Sequence, residues 1–331
     1  MNISYAVKRL FGMNFKRVGA DISRVAKKSK KSKAYIFCDM IWSGLKYGAG
    51  PLDYDLFEFY SLNSAQRKTY ITRGVNNALV KKLNDKEFMH IFDDKSEFNV
   101  HFANYINRAW LKTDKMSFEQ FEEFFKANTA LIYKPIDGTC GRGIEKIVFE
   151  DRSAKEIFDE LKNKPVGIIE EVIVQHRKLA DMYPLAINTA RVVTVYKNGV
   201  VTPVFAFLRI GNNGKFVDNL NSGGMAAMLN VEDGSISMPA SDKTGAVYTR
   251  HPYTETEIVG FTLPMWDKVI EVVTGAAKVL PEVGYVGWDI AFSENSVQII
   301  EGNCFPGHDI LQLPAYTPTK IGLKPKIEKF L

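Results

Sequence analysis

Short apolar runs and stretches of helical spacing alternate along the chain. Leu131–Pro135, Ile144–Phe149, Val166–Val174, Asn188–Tyr196 and Val201–Arg209 are dense in β-formers and predict strands. Val286–Phe292 and Val297–Ile300 flank a short polar loop and predict a hairpin. Residues 2–27, Asn76–Asp94, 117–128, Ser153–Asn163 and Leu263–Val279 place apolar residues three and four apart and predict helices. Ser117 with Gln120, and Ser153 with Glu156, have capping-box spacing. Ser61–Ser64 reads as a helix entry, and the aromatic-rich stretch Tyr35–Tyr60 as core and connection. The mixture predicts an α+β or α/β class. With 331 residues and 46% hydrophobic content the chain can bury a large core in two or three domains or lobes.

The predicted hairpin carries chemistry. Asp289 lies in its first strand, Glu301 at the end of its second, and Asn303 two residues on, hence on the face of Glu301. A three-residue loop, Glu294–Ser296, sets Asp289 opposite Glu301, whereas a four-residue loop slips the register by one and separates them. The shorter loop is expected, with Asn295 tolerating a left-handed conformation. Two carboxylates and an amide oxygen side by side suit a hard cation, Mg²⁺ bridged to phosphates. Two solvated strand-end acids are the plainer alternative.

Upstream, Lys134 ends a strand and precedes a loop with Gly138, Gly141 and Gly143. Glycines let backbone N–H groups approach a phosphate, but the pattern is neither a P-loop nor a dinucleotide fingerprint. A strand–loop–strand flap over a nucleotide fits, as does a plain glycine-rich turn. Glu170 and Glu171 interrupt an apolar run and need a reason. A strand joining two lobes can offer its backbone to an adenine edge, one acid taking the amino group or ribose; an edge strand with acidic gatekeepers is the other reading. Arg191 heads a β-branched strand, and its fork suits a developing phosphate charge. Lys86 follows Asp85, which could cap a helix start, and by itself reads as a solvated lysine.

Charge is uneven. Residues 1–33 hold ten Lys/Arg against one acid, Asp21, hence +9; with +5 for the whole chain the remainder is −4. The basic segment reads as a helix packed on the body with a solvated face; attachment to an anionic membrane surface or acidic partner is the sharper alternative. No nucleic-acid motif is present, so that partner class is not expected. Three scattered cysteines, the lack of a secretory signal pattern and the lack of a membrane-length apolar run predict a reduced, cytoplasmic protein, peripheral at most to the inner membrane surface.

Taken together, Lys86, Lys134 with its Gly-rich loop, Glu170–Ile173, Arg191 and Asp289–Glu301–Asn303 occur in the order found in ATP-grasp enzymes. YKPIDGTCGRGI, IEEVIVQH with NTARVVTV, NSGGMAAMLNVEDG and GYVGWDIAFSENSVQIIEGNCFPG resemble the sugar-transfer associated ATP-grasp family, over roughly residues 76–315. The resemblance implies two α+β lobes sandwiching a nucleotide: a basic region over 1–75, an N-lobe over 76–172 and a C-lobe over 173–331. It implies that Lys86 and Lys134 contact phosphates, that Gly141 and Gly143 belong to the phosphate loop, and that Glu170, Glu171, Val172 and Ile173 bind adenine. Gln175 or His176 would lie near the ribose. Asp289, Glu301 and Asn303 would hold two Mg²⁺, and Arg191 would face the γ-phosphate and an acyl phosphate. Lys134, Arg191 and Asn303 are the catalytic candidates. Cys140 and Cys304 depart locally from the pattern and are expected to be alkylation-sensitive.

The implied reaction is ATP-dependent carboxylate–amine ligation through an acyl phosphate, leaving ADP. Its substrates would be a small carboxylate and an amine, sugar-linked or amino-acid, in surface or capsular polysaccharide biosynthesis. A phosphotransferase acting on a sugar or alcohol and a non-catalytic nucleotide-binding scaffold are the alternatives. Arg209 and the Asn219–Gly224 loop are candidates for the acceptor pocket, while His251 and His308 read as structural.

Overall fold

The computed structural model describes residues 15–136 and 142–331. They fall into two compact units, one running up to Lys82 and including Gly307–Leu331, the other Leu83–Pro306. The C-terminal segment groups with the N-terminal region.

In the first unit, α1 (Phe15–Ser29), α2 (Lys33–Tyr47), α3 (Pro51–Leu56), α4 (Ser64–Arg67) and the start of α5 (Arg73–Leu83) gather with α12 (Lys324–Ile327). Val25 and Ala26 of α1 and Ile36, Met40 and Tyr47 of α2 pack with Tyr54, Phe57, Phe59 and Tyr70. Thus α1 packs an apolar face within this unit. Ser32 caps α2, and Asn63 with Gln66 forms the capping box of α4. Arg67 donates to both oxygens of Asp39 at 2.6 and 2.7 Å, and the Tyr54 hydroxyl adds 2.7 Å. The side-chain amide of Gln312 joins the C-terminal segment to Ile71, accepting from its N–H at 2.8 Å and donating to its carbonyl at 2.9 Å.

Among the described residues, the second unit holds two antiparallel sheets. The four-stranded one has order β1-β4-β2-β3, from Trp110–Lys112, Ala130–Pro135, Glu145–Val148 and Gly167–Glu171 taken as β1 to β4. α8 (Phe118–Ala127) and α9 (Ala154–Asn163) cover it with Phe121, Phe124, Ile157 and Leu161. Both helices carry the capping boxes read from Ser117 and Ser153. The seven-stranded sheet has order β11-β10-β5-β6-β7-β8-β9. Its strands are Thr189–Lys197 (β5), Val200–Ile210 (β6), Met225–Leu229 (β7), Ala240–Asp242 (β8), Val247–Tyr248 (β9), Tyr285–Phe292 (β10) and Val297–Asn303 (β11). α11 (Trp266–Ala276) packs Val269 and Val273 into its core beside Trp288 and Ile299.

Three elements differ from expectation. The hairpin loop has four residues, for Phe292 pairs with Val297 and the Ser293 N–H donates to the Ser296 carbonyl. Asp289 still stands opposite Glu301, because a bulge between the Ile290–Ile299 and Asp289–Glu301 pairs inserts Ile300 and restores the register. The helix expected over 76–94 stops at Leu83. Asn84 there exchanges hydrogen bonds with the Tyr285 backbone and donates to the Cys304 carbonyl, after which the chain resumes in α6 (His90–Asp93) and α7 (Lys95–His101). The strand expected over Val166–Val174 ends at Glu171, and the chain turns to α10 (Arg177–Met182). Among the described residues no helix is long and apolar enough to cross a membrane.

Burial pushes the Asp39 pKa up, but hydrogen bonds and charge from Arg67 and Tyr54 outweigh it and hold it below its ordinary 3.8. The stability this contributes is complete above about pH 4 and is lost as pH falls through the depressed folded value. Asp39→Asn should cost roughly 3 kcal/mol at neutral pH and remove this component of acid destabilisation, read by urea unfolding at pH 7 and pH 3.

Candidate functional site

The hairpin and β5 line up three charges: Asp289 on β10 stands opposite Glu301 on one side and Arg191 on the other. A Cβ added at Gly287 would sit 3.1 Å from Arg191 Cδ, so glycine there leaves room for the arginine stem. Arg191 donates Nε to Asp289 Oδ1 and Nη2 to Oδ2, the latter at 2.6 Å. Arg209 from β6 bridges two acids, Nη1 to Asp289 Oδ2 at 2.5 Å and Nη2 to Asp218 Oδ1 at 2.7 Å. Burial alone would raise the Asp289 pKa; the two guanidinium groups outweigh it and hold the carboxyl well below its usual range. Asp218 goes the other way, burial and the Asp289 charge exceeding the pull of Arg209.

Glu301 differs from both buried acids. Its side chain is 52% exposed, and Arg191 Nη2 stands 3.9 Å away. It lies in a cleft, and crowding by protein, together with the Asp289 charge, pushes its pKa up. Arg191 thus reaches it only at the edge of ion-pair distance, while its side chain opens to solvent.

That cleft continues into a cavity of about 350 Å³ lined by Lys134, Ile168 and Glu170 from the four-stranded sheet, Ile300–Cys304 from β11 and its exit, and residues of α6 and α7. Lys134 Nζ is 2.5 Å from Glu170 Oε2. Arg108 Nη2 donates to Glu170 Oε1 at 2.8 Å and Asn99 Nδ2 to the same oxygen at 3.2 Å. Burial would raise the Glu170 pKa, but the Arg108 and Lys134 charges hold it far below the usual range. Arg108 Nη1 also donates to the Ile299 carbonyl at 2.8 Å and to Gln298 Oε1 at 3.0 Å, while Nη2 reaches the Ile300 carbonyl at 3.3 Å. The guanidinium thus grips the bulge that aligns Asp289 with Glu301. Its buried Nε has no hydrogen-bond partner.

Of the residues singled out in the sequence, the cavity brings together Lys134, Glu170, Glu301 and Asn303, with Asp289 and Arg191 next to Glu301. Its lining does not include Lys86, Glu171, Val172, Ile173, Gln175 or His176. Lys86 is exposed in the turn after Asn84. Glu171 Oε2 accepts from the Ala109 N–H at 3.2 Å. Gln175 accepts from the Asn188 N–H at 2.6 Å and donates to the Tyr183 and Ala186 carbonyls, bracing the 175–188 excursion. His176 caps α10 through Nδ1, which accepts from the Lys178 N–H at 3.1 Å. Gly143 has φ +73°, and a Cβ there would meet Pro135 Cγ at 2.8 Å. Gly141 and Cys140 lie outside the described residues.

His251 is buried and its Nε2 lies 2.9 Å from the Gly211 carbonyl; His308 lies 3.0 Å from Asp53. These contacts are structural. Cys304 is buried and its thiol is pushed up to about 11 by burial and by Asp93, which corrects the expectation of easy alkylation. Reading the sequence missed Arg108, Asn99 and Asp218. Arg108 sits in Asn107–Trp110, where no periodicity distinguishes it from a surface arginine.

The donor set can be tested against Mg²⁺. Both Asp289 oxygens accept from guanidinium N–H groups, and Asn303 Oδ1 accepts from the Phe305 N–H at 2.8 Å. Among the described residues no cluster of three His, Cys, Asp or Glu forms a complete cage. Glu301 and Asn303 nevertheless offer hard oxygens at the cavity wall. Such a set fits a Mg²⁺ that keeps waters and phosphate oxygens in its shell.

The chain belongs to the sugar-transfer associated ATP-grasp family, whose model matches residues 74–330. It therefore has an ATP-grasp fold, here two antiparallel sheets with their helices. None of the curated proteins compared matches it. Among solved structures it is similar to the ATP-grasp ligase PsnB complexed with minimal precursor, at 14% identity and a TM-score of 0.43, covering 74% of this chain and 63% of that one. It is also similar to D-alanine–D-alanine ligase from Bacillus anthracis, at 13% identity and a TM-score of 0.43, covering 77% and 73%. An L-amino acid ligase from Bacillus licheniformis matches at 12% identity and a TM-score of 0.40, covering 69% and 48%. The chain spans about three fifths of the length of the PsnB structures it matches, 60 to 63%.

Two substitutions separate the hairpin acids. Asp289→Asn leaves Arg191 and Arg209 short of charge in a buried place and should cost roughly 3–5 kcal/mol in urea unfolding. Glu301→Gln removes a half-exposed, repelled carboxylate and should change stability by no more than about 0.5 kcal/mol. Arg108→Met should destabilise by at least about 3 kcal/mol, since it leaves Glu170 with less charge and the bulge carbonyls without their donor.

Proposed function

We propose that the chain is an ATP-dependent carboxylate–amine ligase that forms ADP through an acyl phosphate, its substrate a sugar acid or amino acid in surface polysaccharide biosynthesis. The cavity in which Lys134 and Glu170 of one sheet meet Glu301 and Asn303 of the other carries this reading. A substrate carboxylate oxygen attacks the γ-phosphorus, and the bond to the ADP oxygen breaks. The amine nitrogen then attacks the acyl carbon, phosphate leaves with the C–O bond electrons, and the nitrogen loses a proton. This chemistry needs positioning and charge neutralisation rather than a nucleophilic side chain.

Lys134, at the cavity wall, supplies positive charge to a phosphate while Glu170 fixes the position of its ammonium group. Arg191 and Arg209 set a positive pair behind the hairpin acids, where charge grows on the transferred phosphoryl group. Glu301 and Asn303 are the residues to hold Mg²⁺, with Asp289 orienting the arginines beside them. Bound there, the metal neutralises phosphate charge. Glu170, buried beneath Lys134, positions rather than contacts the nucleotide.

ADP release should require a carboxylate and an amine together, and the product mass should equal their sum less one water. Glu301→Gln should lower kcat by about a hundredfold or more while leaving the fold intact. A phosphorylated acceptor with no amide would instead establish phosphotransfer, and hydrolysis indifferent to every amine would refute ligation.

A further inference from the structure

The helix α2 has apolar residues on every side, KAYIFCDMIWSGLKY, a pattern that in a globular protein marks a helix surrounded by protein. Among the described residues only one face is covered: Ile36, Met40, Ser43 and Tyr47 are buried against the first unit. The outer face leaves Tyr35, Phe37, Trp42 and Leu45 at 46, 50, 52 and 47% exposure, with Cys38 exposed among them. Positions 35, 38, 42 and 45 follow one side of the helix, a stripe about 15 Å long. Scattered exposed apolar residues are ordinary; a stripe of Tyr35, Cys38, Trp42 and Leu45 on a helix whose other face already fills a core is not. The expectation that this stretch serves as core and connection therefore accounts for half of it.

Charge around the stripe identifies what covers it. Lys31 Nζ lies 4.4 Å from the Tyr35 ring centroid and Lys46 Nζ 5.1 Å from that of Trp42. Lys27 and Lys28 close the last turn of α1, Lys28 paired with Glu58 at 2.9 Å, with Lys30 between the helices and Lys33 opening α2. The acids of α1 and α2 are neutralised, Asp21 by Arg24 and Asp39 by Arg67. Trp and Tyr beside lysines, with no uncompensated acid on either helix, match the boundary between lipid headgroups and acyl chains. A second copy would set lysine against lysine, which opposes self-association through this face.

We propose that the outer face of α2 docks the protein on an anionic bilayer, Trp42, Tyr35 and Leu45 entering the headgroup boundary and the lysines pairing with lipid phosphates. This surface is independent of the proposed ligase site. The test is co-sedimentation of the full chain with vesicles of equal parts phosphatidylglycerol and phosphatidylcholine, and with phosphatidylcholine alone. Partitioning should be at least about tenfold stronger on the anionic vesicles, and Trp42→Glu/Leu45→Glu should lower it at least about tenfold. Lys46→Glu should weaken it roughly fivefold or more. As a second readout, anionic vesicles should shift tryptophan emission to the blue, and Trp42→Phe should remove that shift without disturbing the fold. Failure to bind anionic vesicles, or binding indifferent to the double substitution, overturns the proposal. So does a dimer in vesicle-free solution that the double substitution dissolves while vesicle binding is absent, for that assigns the face to a second copy.

Discussion

Arg108 joins the two sheets of the second unit through one buried guanidinium. On one side it meets Glu170 of the four-stranded sheet; on the other it holds the Ile299 and Ile300 carbonyls of β11. Bringing a cation and a carboxylate out of water costs several kcal/mol each, recovered only when the geometry is good and the remaining donors are paired. Arg108 nearly achieves this, with Nε the exception. Because the same group carries both contacts, the bulge and the cavity wall are set together. Displacing the guanidinium would loosen the register of the hairpin acids and the seat of Lys134 at once.

The hairpin divides its acids by environment. Asp289 is deep and held by two arginines, so its charge is compensated within the protein. Glu301 stands opposite it yet opens to solvent, with Arg191 only at the edge of ion-pair distance. Two carboxylates on adjacent strands thus become different groups: one orients the arginines, the other faces solvent.

Much of the architecture was legible from local patterns. Capping boxes at Ser117 and Ser153 start helices where expected, and the β-branched runs around Arg191 and Val201 form adjacent strands of one sheet. Family membership was legible because its motifs keep their order along the chain. Misplaced elements share a cause. The helix expected through residue 94 breaks at Asn84, whose amide serves backbone groups near residues 285 and 304, a contact no local window contains. Aromatics of α2 read as core because hydrophobicity does not say whether a face is covered.

The hairpin marks the boundary between the two kinds of information. Alternation along each strand determined that Asp289 shares a face with Gly287, and Glu301 with Asn303, because side chains of a strand point up and down in turn. Which residues oppose each other depended on a loop of four rather than three residues and on a compensating bulge at Ile300. The bulge is held by a guanidinium that arrives from residue 108, outside either strand. Covalent neighbours and periodicity specify elements and faces; long-range hydrogen bonds to buried charge specify register, and here register placed the candidate site.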